Sequence, residues 1–120
     1  MITLKGVSKT AVAFASLVLI ASLPAAAQPK LTVTKTVFEN DKVAVLDTII
    51  KPGEGLASAD RSGMIFYYVA GGKVERTFAD GTKVTVTRKT GEALINTEKR
   101  PYSVVNTGST TAHVIAIKLK

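Results

Sequence analysis

The 120 residues contain no cysteine and no tryptophan, one histidine and four prolines. Without cysteine there is no disulfide, no thiol nucleophile and no thiolate metal site, so a small domain built from this chain must rely on packing and sheet closure. The lone histidine, His113, leaves one imidazole for any acid–base chemistry. No serine sits in a G-x-S-x-G setting and no glycine-rich loop leads into a helix, so neither a nucleophile elbow nor a phosphate cradle is indicated. Helical periodicity is missing beyond residue 28. Massed charge is missing too. The 16 basic and nine acidic residues leave a net +7, yet the lysines and arginines are dispersed rather than set in a stripe with aromatics, which excludes nucleic acid from the expected partners.

What is present begins with an export pattern. Lys5 and Lys9 form a positive start, Ala11–Leu23 is an uncharged and mostly apolar run, Pro24 breaks it, and Ala25-Ala26-Ala27 supplies small residues before Gln28. This order is that of a cleaved signal peptide over residues 1–27, followed by one domain over 28–120. The thirteen residues Ala11–Leu23 are too few to span a bilayer as a helix, so no stable membrane anchor is expected. Only two basic residues leave with the signal, so the remaining domain carries fourteen basic and nine acidic residues, a net +5. The expected location is periplasmic or secreted.

The domain reads as short strands with turn punctuation. Leu31–Phe38 alternates, Val43–Ile50 is a longer apolar run, and Glu39-Asn40-Asp41 between them is turn chemistry. Met64–Ala70 is the most apolar stretch, rich in the aromatic and β-branched residues that fit a pleated, half-buried surface. Gly71-Gly72 predicts a two-residue hairpin to Lys73–Phe78, with Val69, Tyr67 and Ile65 facing Val74, Arg76 and Phe78 on the inner side. Asp80-Gly81 predicts a second hairpin to Thr82–Arg88, where Val84 and Val86 alternate with Lys83, Thr85 and Thr87 to give one wet face. Ala93–Asn96, Tyr102–Val105 and Thr111–Leu119 follow. About eight short strands at this spacing predict an all-β antiparallel barrel or jelly roll.

From Gly53 to Asn106 the chain resembles the cupin superfamily. One cupin motif runs glycine, five residues, His-x-His, three or four residues, Glu, six residues, glycine; Gly53 and Gly72 stand at its ends. The other runs glycine, five residues, Pro-x-Gly, two residues, His, three residues, Asn; Gly91 and Asn106 stand at its ends. KPGE at Lys51–Glu54, YYVAGG at Tyr67–Gly72 and GEAL at Gly91–Leu94 are similar in style. The resemblance implies a cupin barrel, but the positions that it assigns to metal ligands hold Ala59, Arg61, Ile65 and Tyr102. Alanine and isoleucine have no donor atom, arginine repels a cation, and a neutral tyrosine is a poor substitute for imidazole. No metal and no other cofactor is therefore expected.

Two functions from different classes fit. The first is a non-catalytic binding or accessory protein for a small anionic or sugar-like molecule, with Arg61, Tyr67, Arg76, Tyr102 and His113 as the binding residues. Here the resemblance turns residue 61 inward, the expected hairpin sets Arg76 beside Tyr67, and parity with Ile115 and Ile117 puts His113 on the core side. The second is a metal-free enzyme similar to the cupin sugar epimerases, with Tyr102, Tyr67 or His113 moving a proton. A homodimer through Leu31–Phe38 as an edge strand is the expected protein partner. The export reading has a direct check: N-terminal sequencing of secreted or periplasmic protein should begin at or within a residue or two of Gln28, and full-length chain in the membrane fraction would contradict it.

Overall fold

A computed structural model describes residues 29–120; the expected signal segment 1–27 lies outside the described residues. Ten strands follow in order: β1 (Lys30–Leu31), β2 (Lys35–Glu39), β3 (Val43–Ile50), β4 (Glu54–Ala59), β5 (Ile65–Ala70), β6 (Gly72–Phe78), β7 (Lys83–Arg88), β8 (Ala93–Ile95), β9 (Tyr102–Asn106) and β10 (Ala112–Leu119). They form two five-stranded sheets, β1-β4-β9-β6-β7 and β2-β3-β10-β5-β8. Every pair is antiparallel except β1 with β4. The expected all-β jelly roll is what the chain adopts, with two departures in strand count. The single run Leu31–Phe38 divides into β1 and β2, which edge different sheets, and Glu54–Ala59 is an added strand. Its residues, Glu-Gly-Leu-Ala-Ser-Ala, are weak strand formers, and pairing with β9 overrides that preference.

The Asp80-Gly81 hairpin forms as expected, pairing β6 with β7 from Gly72↔Arg88 to Thr77↔Lys83. Gly81 takes φ +89°, and its N–H donates to the Phe78 carbonyl at 2.9 Å, giving a three-residue loop closed by a left-handed residue. The Gly71-Gly72 hairpin does not form. β5 lies in one sheet and β6 in the other, and neither glycine has positive φ. Glycine is needed at 71 for close approach instead. A Cβ there would lie 2.2 Å from the Arg88 carbonyl oxygen and 2.6 Å from the Lys89 carbonyl carbon. The chain steps across the barrel at this point rather than turning back on itself.

That step sets which residues face inward. In β6, Val74 and Arg76 line the interior and Phe78 is buried, as the expected pattern has it; in β5, it is Phe66 and Tyr68 that are buried, while Tyr67 and Val69 face out at 44% and 40% exposure. Two apolar clusters fill the interior: Ile50, Phe78, Tyr102 and Val104 on one side, and Phe66, Tyr68 and Ala116 on the other. The outer face of the first sheet is wet, with Glu75, Thr77, Lys83 and Thr85 along β6 and β7.

Asn106 ties the sheets together at the end of β9. It is 1% exposed, and its Nδ2 donates to the carbonyls of Ile50 and Thr110, both at 2.8 Å, while its Oδ1 accepts from the Gly108 N–H at 2.9 Å. Ile50 ends β3 in the second sheet, so one amide joins both sheets and folds back the 107–111 loop. Asn106→Ala removes the partner of three backbone groups, of which the Ile50 carbonyl is buried and the other two are partly buried, and should lower stability by about 2–4 kcal/mol. Asn106→Asp should be similarly damaging, because it turns an acceptor oxygen toward two carbonyls. Urea unfolding followed by circular dichroism measures both, and a loss under about 0.5 kcal/mol would contradict this role.

Candidate functional site

Between the sheets lies a cavity of about 300 Å³. The second sheet supplies Leu46, Thr48, Ile50, Phe66, Tyr68, Ala112, Val114 and Ala116; the first supplies Leu56, Val74, Arg76, Tyr102 and Val104. Inward residues alternate along each strand, as the pleat requires. Thr34, Asp60 and Lys118 lie at its exposed margin.

Three of the five residues expected to bind ligand converge here. The Tyr102 ring is 1% exposed, and the guanidinium carbons of Arg61 and Arg76 lie 4.8 and 4.5 Å from its centroid. These are cation–π distances. Pairing of Tyr102 with Phe78 and of Val104 with Arg76 fixes Tyr102 and Arg76 on neighbouring strands. Arg61 follows β4, whose register with β9 breaks between Leu56 and Ala59. Its guanidinium answers that irregularity: Nη2 donates to the Ala57 carbonyl at 2.8 Å, and Nη1 donates to the carbonyls of Tyr102 and Ala59. Burial holds the Arg61 guanidinium below the usual arginine range, and Arg76 adds repulsion, but arginine remains a cation in proteins. Arg61 is thus neutralised by backbone carbonyl dipoles, not by a carboxylate.

Arg76 makes no hydrogen bond or ion pair among the described residues. Three glutamates of the neighbouring strands and turns are engaged elsewhere: Glu54 accepts from the Lys51 N–H, Glu75 pairs with Lys83, and Glu92 with Arg88. The one carboxylate at the cavity, Asp60, accepts from the Ser62 N–H and hydroxyl at 2.9 and 2.7 Å, which holds it below the usual carboxylate range. Tyr68, which sequence reasoning left out, lines the cavity in place of Tyr67. Burial raises its pKa, and Arg88 and Arg76 oppose the shift only in part, so it is a phenol at neutral pH.

Tyr67 and His113 lie outside. Tyr67 was assigned inward through the Gly71-Gly72 hairpin, and it turns outward with the loss of that pairing. His113 shares a face with Ile115 and Ile117 as expected, but that face is the outer one; Ala112, Val114 and Ala116 face the cavity. Its Nε2 lies 2.6 Å from Asp47 Oδ1, a partner that sequence did not indicate, because Asp47 sits one strand away at a diagonal position. Ile65 pairs with Ile117 and Ile95 on the same outer face, so the resemblance does not carry a ligand position to residue 65.

The cavity does not fit a metal ion. It contains no imidazole, its single carboxylate is at the margin, and two guanidiniums face it; no group of three His, Cys, Asp or Glu residues gathers anywhere among the described residues.

No protein-family model and no curated protein matches the chain. Solved structures do. The chain is similar to a cupin domain from Bordetella pertussis Tohama I at TM-score 0.69 and 18% identity, over 78% of this chain and 97% of that one. It is also similar to an RmlC-like cupin family protein with a double-stranded β-helix fold from Methanocaldococcus jannaschii, at TM-score 0.56 and 14% identity, over 77% and 83%. A third similar structure is the polyketide cyclase RemF from Streptomyces resistomycificus, at TM-score 0.55 and 15% identity, over 73% of this chain and 64% of that one. The fold is that of the cupin superfamily, as the motif spacing implied.

The carbonyl contacts of Arg61 generate a prediction. Arg61→Ala frees three carbonyls at the β4 irregularity and should lower stability by about 2–3 kcal/mol. Arg61→Lys should restore little of it, since one ammonium cannot reproduce the fork. Paired thermal melts of the variants test this; an Arg61→Ala protein as stable as wild type would show that the carbonyls are satisfied without the guanidinium.

Proposed function

We propose that the protein is an exported, non-catalytic binding protein that holds one small anionic or sugar-like molecule in its barrel. The observation that carries this reading is the stack of Arg61 and Arg76 on Tyr102 at a cavity of about 300 Å³, with no carboxylate paired to either arginine among the described residues. A guanidinium in a partly desolvated site without a counter-charge is unfavourable by several kcal/mol, and an anion offsets that cost. Export rests on the pattern of residues 1–27.

The alternative, a metal-free enzyme using Tyr102, Tyr67 or His113, loses its footing on placement. Tyr102 faces the cavity, while Tyr67 and His113 lie on the other side of the second sheet, so Tyr102 shares its space with neither of them. A likeness to a polyketide cyclase at 15% identity extends to the fold alone.

For a protein partner we favour a second copy of this chain, seated on the outer face of the second sheet rather than strand to strand along Leu31–Phe38. Ile49, Tyr67, Ile95 and Leu119 are 44–61% exposed there, and the Asp47 carboxylate on that area is hydrogen-bonded to His113.

Native mass spectrometry and thermal melts test both parts. At least one small anion should raise the Tm by roughly 10–20 °C at a hundredfold excess over its Kd, and Arg76→Ala should remove the gain. No retained molecule and no anion-dependent shift would overturn the binding reading. A monomer at every concentration would overturn the self-association alone.

A further inference from the structure

We infer that the occupant of the cavity is a monocarboxylate with a compact apolar body, its carboxylate on Arg76 and its hydrocarbon against the second sheet. This inference rests on the binding reading above and narrows it. The first observation is that the two cavity walls differ. The second sheet offers Leu46, Phe66, Val114 and Ala116, and the hydroxyl of its Thr48 is already hydrogen-bonded to Thr34 at 3.0 Å. The cationic end belongs to β6, to Tyr102 and to the loop after β4. An occupant in contact with both walls has to be amphipathic.

The second observation concerns the number of free donors. Arg61 directs Nη1 and Nη2 at backbone carbonyls, whereas Arg76 has no partner among the described residues. One free guanidinium presents one planar fork, which matches the two oxygens of a carboxylate. A phosphate or sulfate would leave oxygens facing Leu46 and Val114. A sugar would set several hydroxyls against Leu46, Phe66 and Val114, with polar partners only at Tyr68, Thr48 and the exposed margin, which is unfavourable. Size agrees, since about 300 Å³ lies at the small end of ligand cavities.

Calorimetric titration of the purified protein tests this with benzoate and hexanoate, their uncharged counterparts benzyl alcohol and hexan-1-ol, and inorganic phosphate and glucose. At least one of the two carboxylates should bind about ten- to a hundredfold more tightly than its alcohol. Arg76→Gln should erase most of that difference, and a circular-dichroism spectrum and melt matching wild type show the fold to be intact. Arg76→Lys should retain the lesser part of the preference, and it decides the matter should the glutamine variant fail to fold. Equal binding of acid and alcohol, or a preference that survives Arg76→Gln or is fully kept by Arg76→Lys, overturns the inference. Arg76-dependent binding of phosphate or glucose in preference to the carboxylates overturns it while leaving the broader reading standing. No binding by any probe counts against both.

Discussion

The hydrogen bonds from the Arg61 guanidinium to the carbonyls of Ala57, Ala59 and Tyr102 tie the loop after β4 to β9 at the edge of the cavity. β4 and β9 lose register between Leu56 and Ala59, and a break in a ladder leaves backbone acceptors without strand partners. A side chain with a rigid fork of donors satisfies them together. In doing so it fixes a positive charge against the Tyr102 ring, and the ring in turn presents its face to Arg76. Where the resemblance to cupins puts a ligand for a metal ion, this chain puts a permanent cation of its own. The charge of the site is thereby supplied by the fold, and it is the opposite of what a metal-binding pocket needs.

The two sheets divide the remaining work. The first has a wet outer face and, with the loop after β4, carries Arg76 and Arg61 at the cavity, while Lys118 of the second reaches only its exposed margin. The second turns its large branched residues, Ile49, Ile115 and Ile117, outward and keeps alanines 112 and 116 inside. Small inward residues make room for the cavity, and a cavity in place of a filled core is a sacrifice of packing. The apolar surface left in the cavity and on the outer face is burial that the isolated chain forgoes.

This inversion explains what could be read from the sequence and what could not. Strand positions were legible because turn residues such as Asp80-Gly81 have a local mechanism, and the cupin spacing was legible because Gly53, Gly72, Gly91 and Asn106 mark fixed points of the chain. The inward placement of Arg61 and Tyr102 followed from those fixed points; Arg76 was expected there through the Gly71-Gly72 hairpin, and it reaches the cavity instead by the pairing of β6 with β9. Facing did not follow. The rule that the more apolar face is the inner one assigns His113, Ile115 and Ile117 to the core, and here it selects the outer face of the second sheet. The Gly71-Gly72 pair misled for a related reason. Two glycines permit a tight turn, but they equally permit one backbone to pass within contact of another, and only the position of Arg88 and Lys89 distinguishes the two. The Asp47–His113 pair and the inward Tyr68 depend on that same choice of face.

Protonation states then limit what the cavity does. Its arginines are permanent cations, Tyr68 is held neutral by burial, and Asp60 is held ionised by Ser62. General acid–base catalysis wants a group whose proton affinity lies near the working pH, and the one histidine capable of that faces away, across the second sheet. A set of groups whose charges stay constant around neutrality suits binding, because the complementarity to an anion does not change with small changes in pH. Constant charge, apolar walls and a single free guanidinium fork are the features on which the binding reading proposed above draws.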